Sequence, residues 1–387
     1  MSLWADKHRP KNLKDLDYHD DVSDRLRALA SSKDFPHLLI YGPSGAGKKT
    51  RVLSTLKELY GAGVERLKVD VKTFTTPSNR KLEFNIVSSP YHLEITPSDM
   101  GNNDRVVIQD LLKEVGQVES IDFTSIVNTS SDNKTNGTDG SDVKRRNNKF
   151  KTVIINEAEM LSRDAQAALR RTMEKYSATL RLILICNSTS SIIDPIKSRT
   201  LLVRVSSPSI QEMTKVFNKV IERETTEVKR SFPSFDSERE EIFHKISEVT
   251  NGNLRMGLLM LEAMYMNYEV VTTGTPIIVP DWEGVIKNLA KSVVSDRTVA
   301  NLNSTRTILY ELIAHSIPSK LILKTLCWEL WGLIEKPAYK VKNVNKIRFS
   351  IVDAAAVYDE RLSIGNKDIF HLEGFITKIM VVLEKDI

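Results

Sequence analysis

Residues 42–50 of the chain are Gly-Pro-Ser-Gly-Ala-Gly-Lys-Lys-Thr. The apolar run 38–41 precedes them and predicts a buried strand, and apolar residues at helical spacing follow from Arg51 to Leu59. A strand, a glycine-rich loop and a helix start together favour a phosphate-binding loop, because glycines let backbone N–H groups converge on an anion beside the helix dipole. In such a loop Lys48 would reach the terminal phosphates.

This loop departs from its usual pattern at one position. The pattern G-x-x-x-x-G-K-S/T ends in a hydroxyl that binds magnesium, and this chain has Lys49 there. Residues 152–155 predict a second buried strand, followed by Asn156 and Glu157. Phosphate-loop ATPases end this strand in Asp-Glu, where the Asp supports magnesium and the Glu polarises the attacking water. Since both magnesium-supporting positions are lost together, we expect phosphate binding with compromised catalysis.

The composition is that of an ordinary soluble protein. The chain has 387 residues, which is enough for two or three domains, and 41% of them are hydrophobic and 27% charged. A net charge of +5 permits contact with nucleic acid without arguing for it. The two cysteines lie far apart and the seven histidines are scattered, so neither a disulfide framework nor a metal cluster is expected. No apolar run approaches the roughly 20 residues that span a bilayer, so we expect a soluble intracellular protein.

The pattern of elements predicts three domains. Strands alternate with helices over residues 1–206, which favours a parallel α/β sheet around the phosphate loop. Within it, the polar stretch 122–150 has almost no apolar residues and is expected to be a disordered insert. Residues 207–275 are predicted to be helical only. Helical patterns continue over 276–387, a region in which we find no chemistry and expect packing and oligomerisation.

The basic lead-in 4–16 has two interpretations. It could be a strap that packs Trp4 and Leu16 on the first domain, which is the favoured reading, or it could bring Arg9 and Pro10 against a bound nucleotide.

Three further basic sites are candidates for contact with an anion. A β-hairpin is predicted over 74–95, with Arg80 and Lys81 at its turn, where they could bind a phosphate backbone or simply face solvent. Arg105 follows a predicted helix start. Arg255 lies in the first turn of another predicted helix, where the dipole disfavours a cation, so an anion is expected nearby.

These motifs resemble one family when they are taken together in their order along the chain. The chain resembles the small subunits of replication factor C, the eukaryotic sliding-clamp loader, which are AAA+ ATPases. Within that family it looks like the end member of the spiral, whose own ATP site is degenerate. The motifs that carry the resemblance are Trp4 to Pro10, residues 88–104, Gly42 to Thr50, Asn156-Glu157, Ala165 to Glu174, Ser198-Arg199-Thr200 and Gly252 to Arg255.

The resemblance implies an architecture and a set of site residues. It implies an AAA+ ATPase domain with a parallel sheet and phosphate loop, a small helical lid domain and an all-α C-terminal collar domain. Arg199 would be an arginine finger aimed into the neighbouring subunit's ATP site, although Thr200 stands where the family motif has Cys. Glu157 would be a residual, inactive catalytic glutamate. The nucleotide-binding residues would be Arg9, Pro10, Gly42, Pro43, Gly45, Ala46, Gly47, Lys48, Lys49, Thr50, Asn187 as a first sensor and Arg255 as a second.

The resemblance also implies partners and a cellular role. The chain would bind ATP or ADP tightly without hydrolysing it, with magnesium binding doubtful because of Lys49 and Asn156. Its partners would be four other replication factor C subunits, the PCNA clamp, primer–template DNA contacted through its backbone by Arg80, Lys81 and Arg105, and alternative large subunits, all in the nucleus. The alternative is a competent, helicase-like AAA+ motor in which the Thr50 hydroxyl replaces the missing one.

Overall fold

The computed structural model describes residues 3–32, 35–75, 81–96, 103–117, 150–224, 231–233, 236–335, 343–365 and 367–386. The chain forms two compact units, Met1–Ile277 and Ile278–Ile387. No helix in these described ranges is long and apolar enough to cross a membrane. The predicted insert 122–150 lies outside the described residues except for Phe150, which is buried.

A mixed, mostly parallel sheet forms the centre of the first unit. Its spatial order, over the residues described, is β2-β3-β4-β5-β6-β1-β7. The run from β4 to β7 in that order is parallel, and β2 and β3 add an antiparallel edge. The strands are β1 Leu38–Tyr41, β2 Lys68–Thr75, β3 Lys81–Ser88, β4 His92–Ile95, β5 Lys151–Ile155, β6 Leu180–Cys186 and β7 Leu201–Arg204.

Helices cover both faces of this sheet and continue beyond it. The first unit contains α1 Trp4–Lys7, α2 Asp20–Ser31, α3 Lys48–Tyr60, α4 Asp104–Gln117, α5 Arg163–Lys175, α6 Asp194–Lys197, α7 Ile210–Arg223, α8 Asp236–Thr250 and α9 Leu254–Asn267. The second unit contains α10 Asp281–Ser295, α11 Val299–Ala314, α12 Ser319–Ile334, α13 Val344–Ile364 and α14 Asp368–Asp386.

The sheet is buried on both faces, which explains why its central strands are continuous apolar runs. On β5, Val153 and Ile155 join a core with the side chains of α4 and α5, whereas Ile154 joins the opposite core with those of α2 and α3. This alternation along one strand is the period of two that a β-strand imposes. The result is a three-layer α/β/α unit, and the predicted α/β sheet around the phosphate loop is confirmed.

The predicted hairpin over 74–95 is wrong in its pairing. The hairpin is formed by β2 and β3, from Lys68 to Ser88, with Thr75 opposite Lys81. The strand β4, which was expected to complete the hairpin, pairs with β3 through only Val87–Glu94 and Ser88–Leu93 and runs parallel to β5 along its whole length. Strand β4 is therefore part of the parallel core, and its end lies beside the end of β5.

Within each unit, the helices after residue 207 pack on one another. Ser209 begins α7 with a capping box, since its side chain accepts from the Glu212 N–H and Glu212 bonds back to the Ser209 N–H. Phe217 of α7 meets Phe243 of α8 edge-on, with ring centroids 5.4 Å apart. In the second unit, α10 to α14 bury a separate apolar core that includes Leu326, Ile351 and Phe375. The helical character predicted for the C-terminal region is confirmed over the residues that the structure describes there.

Candidate nucleotide site

The candidate site lies at the carboxyl edge of the parallel strands, where ligands of open α/β sheets bind. Strand β1 leads into the glycine-rich loop, β5 into Asn156 and β6 into Asn187. A cavity of about 520 Å³ opens there, within the first unit. Glu157 lines this cavity. So do most of the expected nucleotide-binding residues, namely Arg9, Pro10, Gly45, Gly47, Lys48, Lys49, Thr50, Asn187 and Arg255.

The glycine-rich loop has a conformation that excludes a side chain at two of its glycines. Gly45 and Gly47 have φ of +74° and +78°, in the left-handed region. A Cβ on Gly45 would lie 1.7 Å from the Oδ1 of Asn253, and one on Gly47 would lie 2.3 Å from the Tyr18 hydroxyl. The Tyr18 hydroxyl donates to the Ala46 carbonyl oxygen at 3.1 Å, and this hydrogen bond holds the loop in place.

Lys48 is held over the loop by three acceptors. Its Nζ donates to the carbonyl oxygens of Gly42 and Pro43, at 2.7 and 2.8 Å, and to the Oδ1 of Asn187 at 2.9 Å. The residue is only 8% exposed. Burial lowers the pKa of Lys48, against the opposing influence of the Glu159 carboxylate. An ammonium group that is buried against carbonyls, at the mouth of an anion-binding loop, is suited to a phosphate oxygen.

Glu159 is a cavity residue that the sequence reasoning missed. Its Oε1 accepts from the backbone N–H and the Nδ2 of Asn187, at 3.1 and 2.7 Å. Its Oε2 is buried and has no hydrogen-bond partner within the described structure. Glu159 therefore orients Asn187, which in turn contacts Lys48. The sequence signal was weak, because Glu159 follows a strand end at which only Asn156 and Glu157 match a known pattern.

The second missed residue is Glu94, near the end of β4. Its Oε1 accepts from the Nδ2 of Asn156 at 2.6 Å and forms an ion pair with the Nζ of Lys49. The backbone N–H of Asn156 donates to the Ile95 carbonyl oxygen at 2.9 Å, so the ends of β4 and β5 are joined. Lys49 and Asn156 stand where a hydroxyl and an aspartate would bind magnesium. At these two positions the residues do not fit a divalent metal, because an ammonium group and a neutral amide stand there and the Lys49 ammonium pairs with the Glu94 carboxylate.

The lead-in 4–16 contacts the helices after residue 207 as well as the sheet domain. Trp4 is buried and stacks on Tyr265 of α9, with ring centroids 5.5 Å apart, and its backbone N–H donates to the Oε2 of Glu262 at 3.0 Å. Glu224 accepts from Lys7 at 2.6 Å and is paired with His8 at 2.5 Å. The expectation that Trp4 packs on the sheet domain is therefore wrong, whereas Leu16 is buried there as expected.

Asp6 lies between Arg9 and Arg255, two of the arginines that line the cavity. Its Oδ1 accepts from the Nη2 of Arg9 at 2.8 Å, and its Oδ2 is 3.9 Å from the Nη2 of Arg255. Arg255 was singled out because a cation in the first turn of a helix calls for an anion nearby. In this chain the carboxylate of Asp6 provides one, and sequence reasoning could not place it there because the two residues are distant along the chain.

Arg199 is not part of the cavity lining. It follows α6 and lies at the surface, where its side chain is 36% exposed. Its Nε and Nη2 contact the Oε1 of Glu174 at 2.9 and 2.7 Å, and its Nη1 donates to the Pro195 carbonyl oxygen at 2.8 Å. The guanidinium group is thus held against α5 and α6 at the surface.

The expected DNA contacts are only partly described. Arg80 lies outside the described residues, and Lys81 begins β3 without a description of its side chain. Arg105 is in the first turn of α4, with a side chain that is 58% exposed and lies 3.7 Å from Asp164.

Comparison with known proteins gives matches along almost the whole chain. The family model "Replication factor C subunit 3, C-terminal domain" matches residues 282–387, and "RCF1/5-like, AAA+ ATPase lid domain" matches 234–266. The chain is 49% identical over 386 residues to replication factor C subunit 5 of Saccharomyces cerevisiae, covering 99% of this chain and 100% of the relative.

Two further relatives agree with these matches. Replication factor C subunit 5 of Neurospora crassa is 49% identical, covering 99% of this chain and 98% of the relative. Human replication factor C subunit 3 is 42% identical, covering 100% of this chain and 97% of the relative. With this extent of identity, and with a sheet, loop and helical regions arranged as the resemblance predicts, the chain belongs to the replication factor C subunit family of AAA+ proteins.

Proposed function

We propose that this chain is a nucleotide-binding, non-hydrolysing subunit of a sliding-clamp loader. It binds ATP or ADP in the cavity beside the glycine-rich loop and assembles with four other replication factor C subunits. The assembly opens the PCNA clamp and loads it at primer–template junctions in the nucleus, in DNA replication and repair. Assemblies built on alternative large subunits would use the chain in the same way.

The contact of Lys48 with Asn187 is the observation that supports nucleotide binding most. It joins the glycine-rich loop after β1 to the end of β6 at 2.9 Å, and Glu159 holds the Asn187 side chain from the other side. Residues of the loop and Lys48 would hold the phosphates, and Asn187 would sense the terminal one. Arg9 and Pro10 line the outer part of the same cavity, where the base would lie.

The residues that oppose hydrolysis also lie in this cavity. Glu157 lines it and retains the carboxylate that could polarise water, but Lys49 and Asn156 replace the residues that would support a metal. A competent motor, our alternative, would need the Thr50 hydroxyl to take over the role that position 49 has lost. Thr50 does line the cavity. Against this alternative, Lys49 is tied to Glu94, so it would have to leave an ion pair before the metal could enter.

Arg199 supports a role in the neighbour's site. It is not among the residues that line its own cavity, it is partly exposed, and it is held by Glu174 and the Pro195 carbonyl. A fixed surface guanidinium is what an arginine finger requires, since its effect depends on a position that is preset before the transition state forms. The chain would then contribute to ATP hydrolysis in the neighbouring subunit's site without hydrolysing ATP in its own.

Exposed side chains support assembly and DNA contact. In the second unit, Trp328, Phe349 and Phe370 are large apolar side chains with exposures of 63%, 73% and 62%, which suits burial against other subunits. Arg105 carries an exposed charge at the start of α4, which suits a DNA phosphate. The loader would follow the duplex backbone without reading its sequence, and Arg80 and Lys81 are proposed as further contacts.

Release and identification of the nucleotide from the purified chain tests this proposal. We expect about one ATP or ADP per wild-type chain, and we expect the Lys48→Ala variant to retain none while keeping its helical content. A wild-type chain that neither contains nucleotide nor takes it up would overturn the proposal.

A further inference from the structure

Lys49, Glu94 and Asn156 form a small cluster on one side of the cavity. The Glu94 carboxylate oxygen Oε1 is shared by two donors, the Nζ of Lys49 and the Nδ2 of Asn156, the second at 2.6 Å. Lys49 and Asn156 both line the cavity. The cluster thus stands beside the position of Lys48, in the part of the cavity that would receive phosphates.

Because Glu94 is buried, its negative charge has to be balanced by a positive charge within the cluster. The Glu94 side chain is 8% exposed, and an ionised carboxylate at that depth needs a positive partner. Lys49 is the partner. Its own side chain is 46% exposed and Lys49 lines the cavity, so the residue pairs with Glu94 and is also accessible from the cavity.

The backbone fixes the cluster in place. Glu94 lies opposite Ile154 in the parallel register of β4 and β5, and the Asn156 N–H continues that ladder to the Ile95 carbonyl at 2.9 Å. Lys49 is the second residue of α3, directly after the left-handed Gly47 and the buried Lys48. Three rigid element ends therefore hold the three side chains, and the cluster is part of the fold rather than a surface contact.

We propose that the Lys49 ammonium, positioned by Glu94 and Asn156, replaces the divalent cation of an ordinary AAA+ site, so that this chain binds nucleotide without a metal. This inference rests on the proposed nucleotide binding. An ammonium group has three N–H donors, and Glu94 accepts one of those of Lys49, so Lys49 can still donate to a phosphate oxygen at the place of the metal. Its pairing with Glu94 also occupies the carboxylate that a divalent cation would need there. The neutral amide of Asn156 also disfavours a metal, because an aspartate at this position would compete with Glu94 for Lys49 and would attract a divalent cation.

Nucleotide affinity with and without free metal tests the inference directly. ADP binding to the purified full-length chain is measured by calorimetry, once with excess Mg²⁺ and once with EDTA. We expect the two dissociation constants of the wild-type chain to agree within about twofold. Wild-type binding that is lost in EDTA and restored by Mg²⁺ would overturn the inference while leaving nucleotide binding intact. No binding in either condition would overturn the proposed function itself.

The variant Lys49→Thr supplies the second part of the test. It leaves the Glu94 carboxylate without its cation and introduces a hydroxyl, so we expect ADP affinity to fall by roughly tenfold or more in EDTA and to recover with Mg²⁺. Lys57→Thr is the matched control, because Lys57 is on the same helix and pairs with Glu65 outside the cavity. That control should bind ADP as the wild type does in both conditions. A Lys49→Thr variant that is equally tight with and without metal would contradict the role of Lys49. Should Lys49→Thr fail to fold, the wild-type comparison alone still decides the matter.

Discussion

The guanidinium group of Arg199 is bound to the carboxylate of Glu174 through two nitrogens, Nε at 2.9 Å and Nη2 at 2.7 Å. Glu174 is near the end of α5, and Arg199 follows α6, so the pair ties two helices at the surface of the first unit. This contact presets the direction of the one arginine that we assign to the neighbour's site.

We expect Arg199→Ala to separate nucleotide binding from hydrolysis. Because Arg199 does not line the cavity, the ADP affinity of the chain should stay unchanged. An arginine finger contributes roughly 10³–10⁵ in rate where it has been measured, so the neighbouring site of the assembled complex should lose nearly all turnover. Steady-state ATPase assays of the complex check this. Arg27→Ala is a suitable control, since Arg27 is ion-paired with Asp24 on α2. Unchanged ATPase activity of the Arg199→Ala complex would refute the role in trans.

We expect Asp6→Asn to raise nucleotide affinity. The Asp6 carboxylate contacts both Arg9 and Arg255, and these two arginines line the cavity. Removing that negative charge frees both cations for phosphate or base. Because the pairs are partly exposed, the gain should be modest, about two- to fivefold in the dissociation constant of ADP. Asp24→Asn, which breaks an ion pair on α2 away from the cavity, serves as the control. Weaker binding by Asp6→Asn would mean that Asp6 positions the arginines for the nucleotide instead of competing with it.

We expect Gly45→Ala to be less destabilising when Asn253 is also replaced by Ala. Gly45 has a φ of +74°, so the substitution incurs backbone strain in either background. In the wild-type background the new Cβ would also meet the Asn253 Oδ1 that caps α9. Loss of that cap should account for about 1 kcal/mol of the loss of unfolding free energy, and Asn253→Ala has already removed it. Urea unfolding followed by circular dichroism measures Gly45→Ala in both backgrounds. Equal losses in the two would argue against the contact between the loop and α9.

We expect acid to destabilise the first unit through His37. Burial, and next the nearby Arg181 charge, lower the pKa of His37 from 6.5 to about 4. Its Nδ1 accepts the Leu182 N–H at 2.9 Å, which requires the neutral ring. The folded-state pKa is thus below the unfolded value, so this stabilisation is fully present above pH 6.5 and is lost as the pH falls towards 4. Through this one group, the free energy of unfolding should fall by at most about 1.4 kcal/mol per pH unit.

Unfolding midpoints between these pH values measure the effect. His37→Asn keeps an acceptor for the Leu182 N–H and does not titrate in this pH range. Its free energy of unfolding should therefore fall less steeply with decreasing pH than that of the wild type. His315→Asn, at an exposed histidine of the second unit, should follow the wild-type curve. A His37→Asn curve that is parallel to the wild type would assign the acid sensitivity to other groups.

Much of the fold was predictable because its signals are local. The loop 42–50 lies between an apolar run and a helical pattern, and all three features fall within about two dozen residues. The buried strands β5 and β6 are continuous apolar runs, which a parallel sheet with both faces covered requires. Pairing was harder, because β4 has the same kind of sequence whether it closes a hairpin with β3 or joins β5. The register that decides between them depends on contacts distant in sequence.

The charged partners inside the site could not be predicted for a similar reason. In the sequence, Lys49 shows only that the usual hydroxyl is missing. Nothing in His-Leu-Glu-Ile, residues 92–95, indicates that Glu94 is buried against Lys49. The same holds for Asp6, whose contact with Arg255 spans most of the first unit in sequence. An ion pair between distant residues leaves no periodic signal, so only the folded chain reveals that both magnesium-supporting positions belong to one neutralised cluster.

Hydrolysis of labelled ATP by the purified chain alone is the most direct test of the central claim. The account predicts that ATP is bound at about one per chain and recovered intact, with product no higher than in the absence of protein. Turnover at the rate of an ordinary AAA+ enzyme, abolished by Lys48→Ala, would contradict it.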